Sequence, residues 1–365
     1  MRFEGTGDPE KEALMSNRKI SRRTALQGGA ALAGTLAFGN WSRSLTRQAD
    51  ERPTLVVFWL NGGPAGLFNS AASFLRTGAF GVTDSNVREL GNDLYVDSES
   101  FGSLPLAART HMASINFRHG VLRPHERARA AVLQAGSRSQ LLRLAAAMPE
   151  GPIRCAVVNN LGLPVGVASH PPAESGVTLD CIDDLGRITP RLETKRFDDV
   201  RSAYGMSRGG TGISDQCSTF VGVELLVHAG ASVVFAQPAY TGRPDRQFDT
   251  HEDDAGVEAR AVMAPIVPAL AAFLNRTLAL PGHNVVTLLV GEFSRTIPKS
   301  DHEPGGTATV IGKYVKTGTA GPQRPDGSPP LDAPPPEALW AYTSAALRLP
   351  AAPFGHNPYP RLITI

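Results

Sequence analysis

Thr54-Leu55-Val56-Val57-Phe58-Trp59-Leu60-Asn61-Gly62-Gly63-Pro64 is a continuous apolar run that ends in two glycines and a proline. Apolarity without alternation means that both faces of the segment are covered, the mark of a strand inside a parallel sheet. The glycines stop the strand and deliver a loop at its carboxyl end. The same grammar recurs at 153–158, 231–236 and 284–290. Between these runs, residues 126–147, 218–228 and 258–278 repeat apolar side chains at spacings of three and four, the period of a helix. Strands alternating with helices predict an α/β fold with a mostly parallel central sheet flanked by helices on both faces. Ligands of such folds collect beyond the carboxyl ends of the strands, which singles out the loops after Leu60, Ala236 and Val290. The Pro/Gly-rich stretch 317–336 reads as a surface loop.

A chain of 365 residues with 42% hydrophobic side chains closes a full core, which excludes global disorder. With 36 basic against 34 acidic residues the formal charge is +2, too little to neutralise a phosphate backbone, so nucleic acid is not an expected partner. Cys155, Cys181 and Cys217 make neither a disulfide scaffold nor a CxxC metal module; two of them can pair, and spacing does not choose which. A dehydrogenase is excluded as well. Gly62-Gly63-Pro64 lacks the GxGxxG spacing, and Ser207-Arg208-Gly209-Gly210-Thr211-Gly212 follows no evident strand.

The N-terminus carries an address. Arg18, Lys19, Arg22 and Arg23 precede an uncharged Gly/Ala-rich stretch, and Ser21-Arg22-Arg23-Thr24-Ala25-Leu26 resembles a twin-arginine export signal. About 17 uncharged residues with several glycines make a poor membrane span. We therefore expect residues 1–39 to be a signal, 40–53 a linker and 54–365 the folded domain, exported to the periplasm or beyond, with the twin-arginine machinery as a partner and no stable transmembrane span after signal removal. Small residues at Ala37 and Gly39 permit cleavage near Asn40, and Met15 is a second candidate start.

Three clusters carry chemistry. In Gln247-Phe248-Asp249-Thr250-His251-Glu252-Asp253-Asp254, alternation sets Asp249 and His251 on one side, where they can share a divalent cation; the segment also reads as an acidic helix N-terminus. After the fourth strand, Gly291-Glu292-Phe293-Ser294-Arg295-Thr296 places a carboxylate at a strand mouth, as a metal ligand or as half of an ion pair with Arg295. His302, in Asp301-His302-Glu303, is a ligand or a loop histidine. His111, His119 and His125 form the third cluster, with Arg127 and Arg129 nearby to hold an anion; Pro124 and Glu126 alternatively just start a helix.

Taken together, these motifs resemble the domain of unknown function 1501 family, exported bacterial proteins related to the alkaline phosphatase and sulfatase superfamily. The resemblance runs through Leu60-Asn61-Gly62-Gly63-Pro64, His125, Leu225-Leu226-Val227-His228-Ala229-Gly230-Ala231, Phe248-Asp249-Thr250-His251, Gly291-Glu292-Phe293-Ser294-Arg295-Thr296 and Asp301-His302. It implies an alkaline-phosphatase-like sheet with a metal-assisted hydrolase site at its carboxyl edge. The cation, zinc first with manganese, magnesium or calcium as alternatives, is expected on Asp249, His251, Glu292 and His302. Arg295 or Arg127 is expected to contact the anion of a phosphate or sulfate ester, and Ser70 is a weak candidate nucleophile. Ala65 departs from the pattern, because family members usually carry a metal-binding aspartate there. A catalytically inactive binding or assembly protein of the cell envelope is the competing expectation.

Overall fold

A computed structural model describes residues 51–158, 176–179, 194–206, 216–238 and 248–364 of the chain. The export signal, Cys181, the 207–212 glycine segment and Gln247 lie outside the described residues. Residues from Arg52 onward form one compact unit.

Its strands, in chain order, are β1 (Arg52–Trp59), β2 (Val87–Gly91), β3 (Leu94–Asp97), β4 (Met112–Arg118), β5 (Gln134–Ala135), β6 (Arg138–Ser139), β7 (Ile153–Val158), β8 (Gly176–Leu179), β9 (Ala231–Ala236), β10 (His283–Val290), β11 (Ser294–Thr296), β12 (Asp301–Glu303), β13 (Gly305–Ile311) and β14 (Gly318–Thr319). Eight of them build one sheet in the order β14-β4-β13-β10-β1-β9-β7-β8. Only β13 runs against the others, pairing antiparallel with β10 and with β4. The α/β, mostly parallel sheet read from the sequence is the architecture found.

β1 explains why. Its side chains split by parity, Val56 and Phe58 entering one core while Leu55, Val57 and Trp59 enter the other. Period-two geometry sends neighbours to opposite faces, so a strand covered on both faces must be apolar throughout. The long helices cover these faces: α1 (His125–Leu133), α2 (Gln140–Ala147), α3 (Thr194–Ala203), α4 (Gln216–His228), α5 (Val257–Met263), α6 (Ile266–Thr277) and α7 (Pro336–Ala346). Members of α4 and α6 pack in the first core and members of α1, α2 and α7 in the second.

Two expected helices prove to be pairs. The 126–147 segment breaks at Gly136, whose φ of 62° turns the chain into the small β5–β6 hairpin before α2 restarts it. The 258–278 segment bends by 45° between α5 and α6, where Pro265 stands. Proline offers no N–H and clashes with the preceding turn, so the helix cannot run through it. Among the described residues no single helix is long and apolar enough to cross a membrane.

Candidate metal centre

The topology brings five segments to one sheet edge. The carboxyl ends of β1, β9 and β10 lead to Gly62, Asp249 and Glu292; β4 ends just before His119 and His125; and the antiparallel β13 begins there, directly after His302. Residues up to 233 positions apart in sequence thus meet in direct hydrogen bonds. The first loop is the floor on which the others sit. A side chain at Gly62 would strike the backbone of Asp249, and one at Gly63 would strike the carbonyl of Phe293, with both glycines held at positive φ. Phe248 N–H donates to the Asn61 carbonyl at 2.7 Å and brings Asp249 to the centre.

Around Asp249 Oδ1 stand four nitrogens: Arg295 Nη2 at 2.7 Å, His251 Nε2 at 3.0 Å, His302 Nε2 at 3.2 Å and His125 Nε2 at 3.8 Å. One carboxylate oxygen has about two lone-pair sites. It cannot accept a proton from every one of these nitrogens. Ligands bonded at about 2.0–2.2 Å to one tetrahedral ion lie roughly 3.3–3.5 Å from each other, the range that the three imidazole separations bracket. The rings are correspondingly close, His251 to His302 at 4.9 Å and His125 to His302 at 4.6 Å between centroids. Ligand atoms of His125, Asp249 and His302 all lie within 4.8 Å of one another, as do those of His251, Asp301 and His302.

The protonation states suit a cation. Burial by itself would raise the Asp249 pKa, but hydrogen bonds from His302 and Arg295 and the charge of Arg295 hold it well below the usual carboxylate range. Burial pushes the His302 pKa down, against the pull of Asp249, and keeps the imidazole neutral. Ionised carboxylate and neutral imidazole are the forms that bind metals.

His125 was not among the expected ligands. Its Nδ1 lies 2.8 Å from Glu292 Oε1, an acceptor to which Nδ1–H donates, and in the neutral ring this leaves the Nε2 lone pair toward Asp249. Two lone pairs facing each other are reconciled by a cation between them. As a sequence feature His125 was just the first residue of a helix after a proline.

Glu292 takes a different place from the ligand expected of it. It is fully buried, and its Oε1 accepts from Gly62 N–H at 3.0 Å, His125 Nδ1 at 2.8 Å and Arg129 Nε at 3.3 Å. Burial raises its pKa, and the His125 hydrogen bond with the Arg129 charge outweighs this and keeps it low. Glu292 therefore sits behind His125 and outside the groups that can share an ion.

Arg295 does not meet a substrate anion. Its side chain is buried, with Nε donating to the Gly63 carbonyl at 3.1 Å, Nη1 to Ser300 O at 3.0 Å, and Nη2 to both Asp249 and the Gly62 carbonyl. With four of its five N–H groups engaged and the side chain buried, the guanidinium has no face left for a ligand. The exposed cations are instead Arg123 and Arg127, which with Val121, Leu122, Asp301 and His302 line a cleft of about 650 Å³ opening onto the donors.

Ser70 is likewise displaced from its expected role. Its hydroxyl is enclosed without a hydrogen-bond partner in the turn before residues Ala71–Phe74, and an enclosed hydroxyl cannot reach a substrate. Ala65 packs in the first core, beside a small gap lined by Leu60, Phe68, Asn69 and Phe101, rather than among the histidines. The His111–His119–His125 cluster separates, because His111 precedes β4 and donor loops follow it. His119 Nδ1 accepts from Val121 N–H and its Nε2 donates to the Glu292 carbonyl at 2.6 Å, which ties the loop after β4 to the backbone of Glu292 rather than to the donor group. Cys155 and Cys217 are not joined to each other by a disulfide; burial pushes the Cys155 thiol up to about 12.

No protein-family model matches the chain, and no curated protein matches it. Solved structures with a similar outline include Ps i-CgsB in complex with k-i-k-neocarrahexaose, at 9% identity and TM-score 0.38 over 85% of this chain and 76% of that one. The lipoteichoic acid synthase LtaP from Listeria monocytogenes is similar at 10% identity and TM-score 0.40, over 85% and 76%. The PsFucS1 sulfatase from Pseudoalteromonas sp. is similar at 13% identity and TM-score 0.37, over 84% and 70%. Similarity at this level says nothing about this chain's chemistry, which rests on its own residues.

Proposed function

We propose that the protein is an exported, metal-binding hydrolase of the alkaline phosphatase and sulfatase type. His125, Asp249 and His302 hold a divalent ion, His251 is a fourth donor, and an imidazole-rich set with one carboxylate suits zinc best. The observation that carries this reading is the convergence of three imidazole nitrogens and an arginine on a single oxygen of Asp249. A bound ion there supplies Lewis-acid polarisation of an ester oxygen. Arg123 and Arg127 meet the anionic group of a phosphate or sulfate ester in the cleft beside His302. Export follows the twin-arginine route, and replacing Arg22 and Arg23 together by lysine is expected to retain the protein in the cytoplasm; unchanged envelope localisation refutes that route.

The second reading, a binding protein without turnover, is favoured by one observation. Ser70 is enclosed, and the Thr250 and Ser300 hydroxyls, adjacent in sequence to the donors, face each other at 3.5 Å. Elemental analysis of the full-length protein separates the possibilities. About one divalent ion per chain is expected, lost in His125→Ala and in Asp249→Asn while the fold persists, since a ligand counts for more than the groups behind it, whose loss alone weakens binding by about 10–100-fold. No ion after purification or after reconstitution with zinc or manganese overturns the metal reading. An ion without turnover of phosphate or sulfate esters selects the binding protein.

A further inference from the structure

We infer that residues 291–296 are a positioning element that pre-forms the donor group: Glu292 sets the tautomer of His125, Phe293 sets the plane of His302, and Arg295 sets the carboxylate of Asp249. The inference rests on the metal reading above and goes beyond it, because it assigns to one short loop the orientation of three ligands carried by other segments.

Each contact is specific. The Glu292 carboxylate is the only buried acid on His125 among the described hydrogen bonds, and with Nδ1–H given to it at 2.8 Å the other nitrogen of the neutral ring is the lone-pair donor. Such carboxylate–histidine pairs orient metal ligands and raise their basicity. Gly62 N–H and Arg129 Nε hold the same Glu292 oxygen, so the carboxylate cannot swing away from the ring. The next side chain, Phe293, lies stacked on His302, with centroids 4.3 Å apart and planes at 13°, and meets His125 edge-on at 5.1 Å. Since Phe293 is buried, the imidazole plane it supports is fixed before any ion arrives. Arg295, two residues on, completes the set by holding Asp249 Oδ1 and the Gly62 and Gly63 carbonyls at once. A preorganised site loses little conformational freedom when it binds.

The test uses the full-length protein, labelled with ¹⁵N at histidine, and zinc as the probe. In metal-free wild type, His125 is expected as the Nδ1–H tautomer; an Nε2–H tautomer there overturns the inference at once. Glu292→Gln keeps an acceptor for that proton but loses the charge, so the tautomer stays and zinc binds about 10-fold more weakly, whereas Glu292→Leu releases the tautomer and costs about 100-fold. Phe293→Leu broadens the His302 resonances. Unchanged zinc affinity in Glu292→Gln, or a single Nδ1–H tautomer persisting in a folded Glu292→Leu, overturns the positioning role. If wild type binds no zinc the metal reading falls by itself, and the tautomer measurement still decides the inference.

Discussion

Arg295→Leu is expected to lower stability by about 3–5 kcal/mol, the cost of stripping one partner from a buried ion pair. For a folded unit running from Arg52 to Ile365, with about 2.1 cal/mol/K of unfolding entropy per residue, that is a fall in melting temperature of roughly 5–8 °C. The magnitude follows from what the guanidinium holds: Asp249, three backbone carbonyls, and through them the Gly62–Gly63 loop, the 248–249 turn and the Ser300 turn. Leucine fills the volume but leaves the carbonyls unpaired and Asp249 without its closest counter-charge. Arg295→Lys keeps the charge and loses the planar fork, so it should lie between the two, because an ammonium cannot reach partners in so many directions in one plane. Coupling is a sharper check than the single change. In Arg295→Leu with Asp249→Asn the second substitution removes the stranded charge, so the double variant should be more stable than the sum of the singles predicts. Urea melts of the four proteins measure this. Additive effects, or a melting point for Arg295→Leu within about 2 °C of wild type, contradict the assigned clamp.

That clamp also shows what one-dimensional reading can deliver. The four strands read from apolar runs are present, two of them with the expected bounds, because full burial on both faces leaves an unmistakable composition. β4 and β13 gave no such signal. Met112–Arg118 carries Ser114 and Asn116, both buried; Asn116 accepts from Thr307 across the sheet at 2.7 Å, while the Ser114 hydroxyl is enclosed without a hydrogen-bond partner, so polar residues interrupt the apolar run without marking an exposed face. Gly305–Ile311 opens on two glycines that look like a turn; a Cβ at Gly306 would press on the Phe117 ring of the neighbouring strand. At the site the pattern is the same. Asp249 and His251 are legible as a pair because they stand two residues apart, whereas His302, 53 residues on, joins them through the sheet topology. The roles of Glu292 and Arg295 are not, since a glutamate reads alike whether it faces an ion or a histidine 167 residues away. His125 reads as a helix start for the same reason, its partners being supplied entirely by distant loops.

Ala65→Asp is the second substitution with a large expected effect, and the structure turns it from a repair into a lesion. If Ala65 marked a lost ligand, restoring an acid would add an ion. Its methyl is instead 3% exposed in the first core, and the gap beside it is lined by Leu60, Pro64, Phe68, Phe101 and Leu289, with Asn69, Thr307 and Thr309 as the polar neighbours and no cation. An ionised carboxylate placed there loses its hydration without gaining a counter-charge, which costs several kcal/mol, about as much as breaking a buried pair. Burial raises the pKa of the new acid, so the unfolded chain is the stronger acid and the penalty grows as pH rises through the unfolded value near 3.9. The variant should therefore be least stable relative to wild type at neutral pH and recover part of the difference toward pH 3. Ala65→Asn, with the same shape and no charge, should lack that pH dependence and suffer the crowding of a packed site, about 1–3 kcal/mol, together with the desolvation of a neutral amide. Melting curves of the three proteins across pH, with elemental analysis of each at neutral pH, give the answer. A second bound ion and a stability equal to wild type would place Ala65 at the metal centre and overturn the packing argument; an unchanged ion count with a pH-dependent loss of stability leaves the donors as His125, Asp249, His302 and His251.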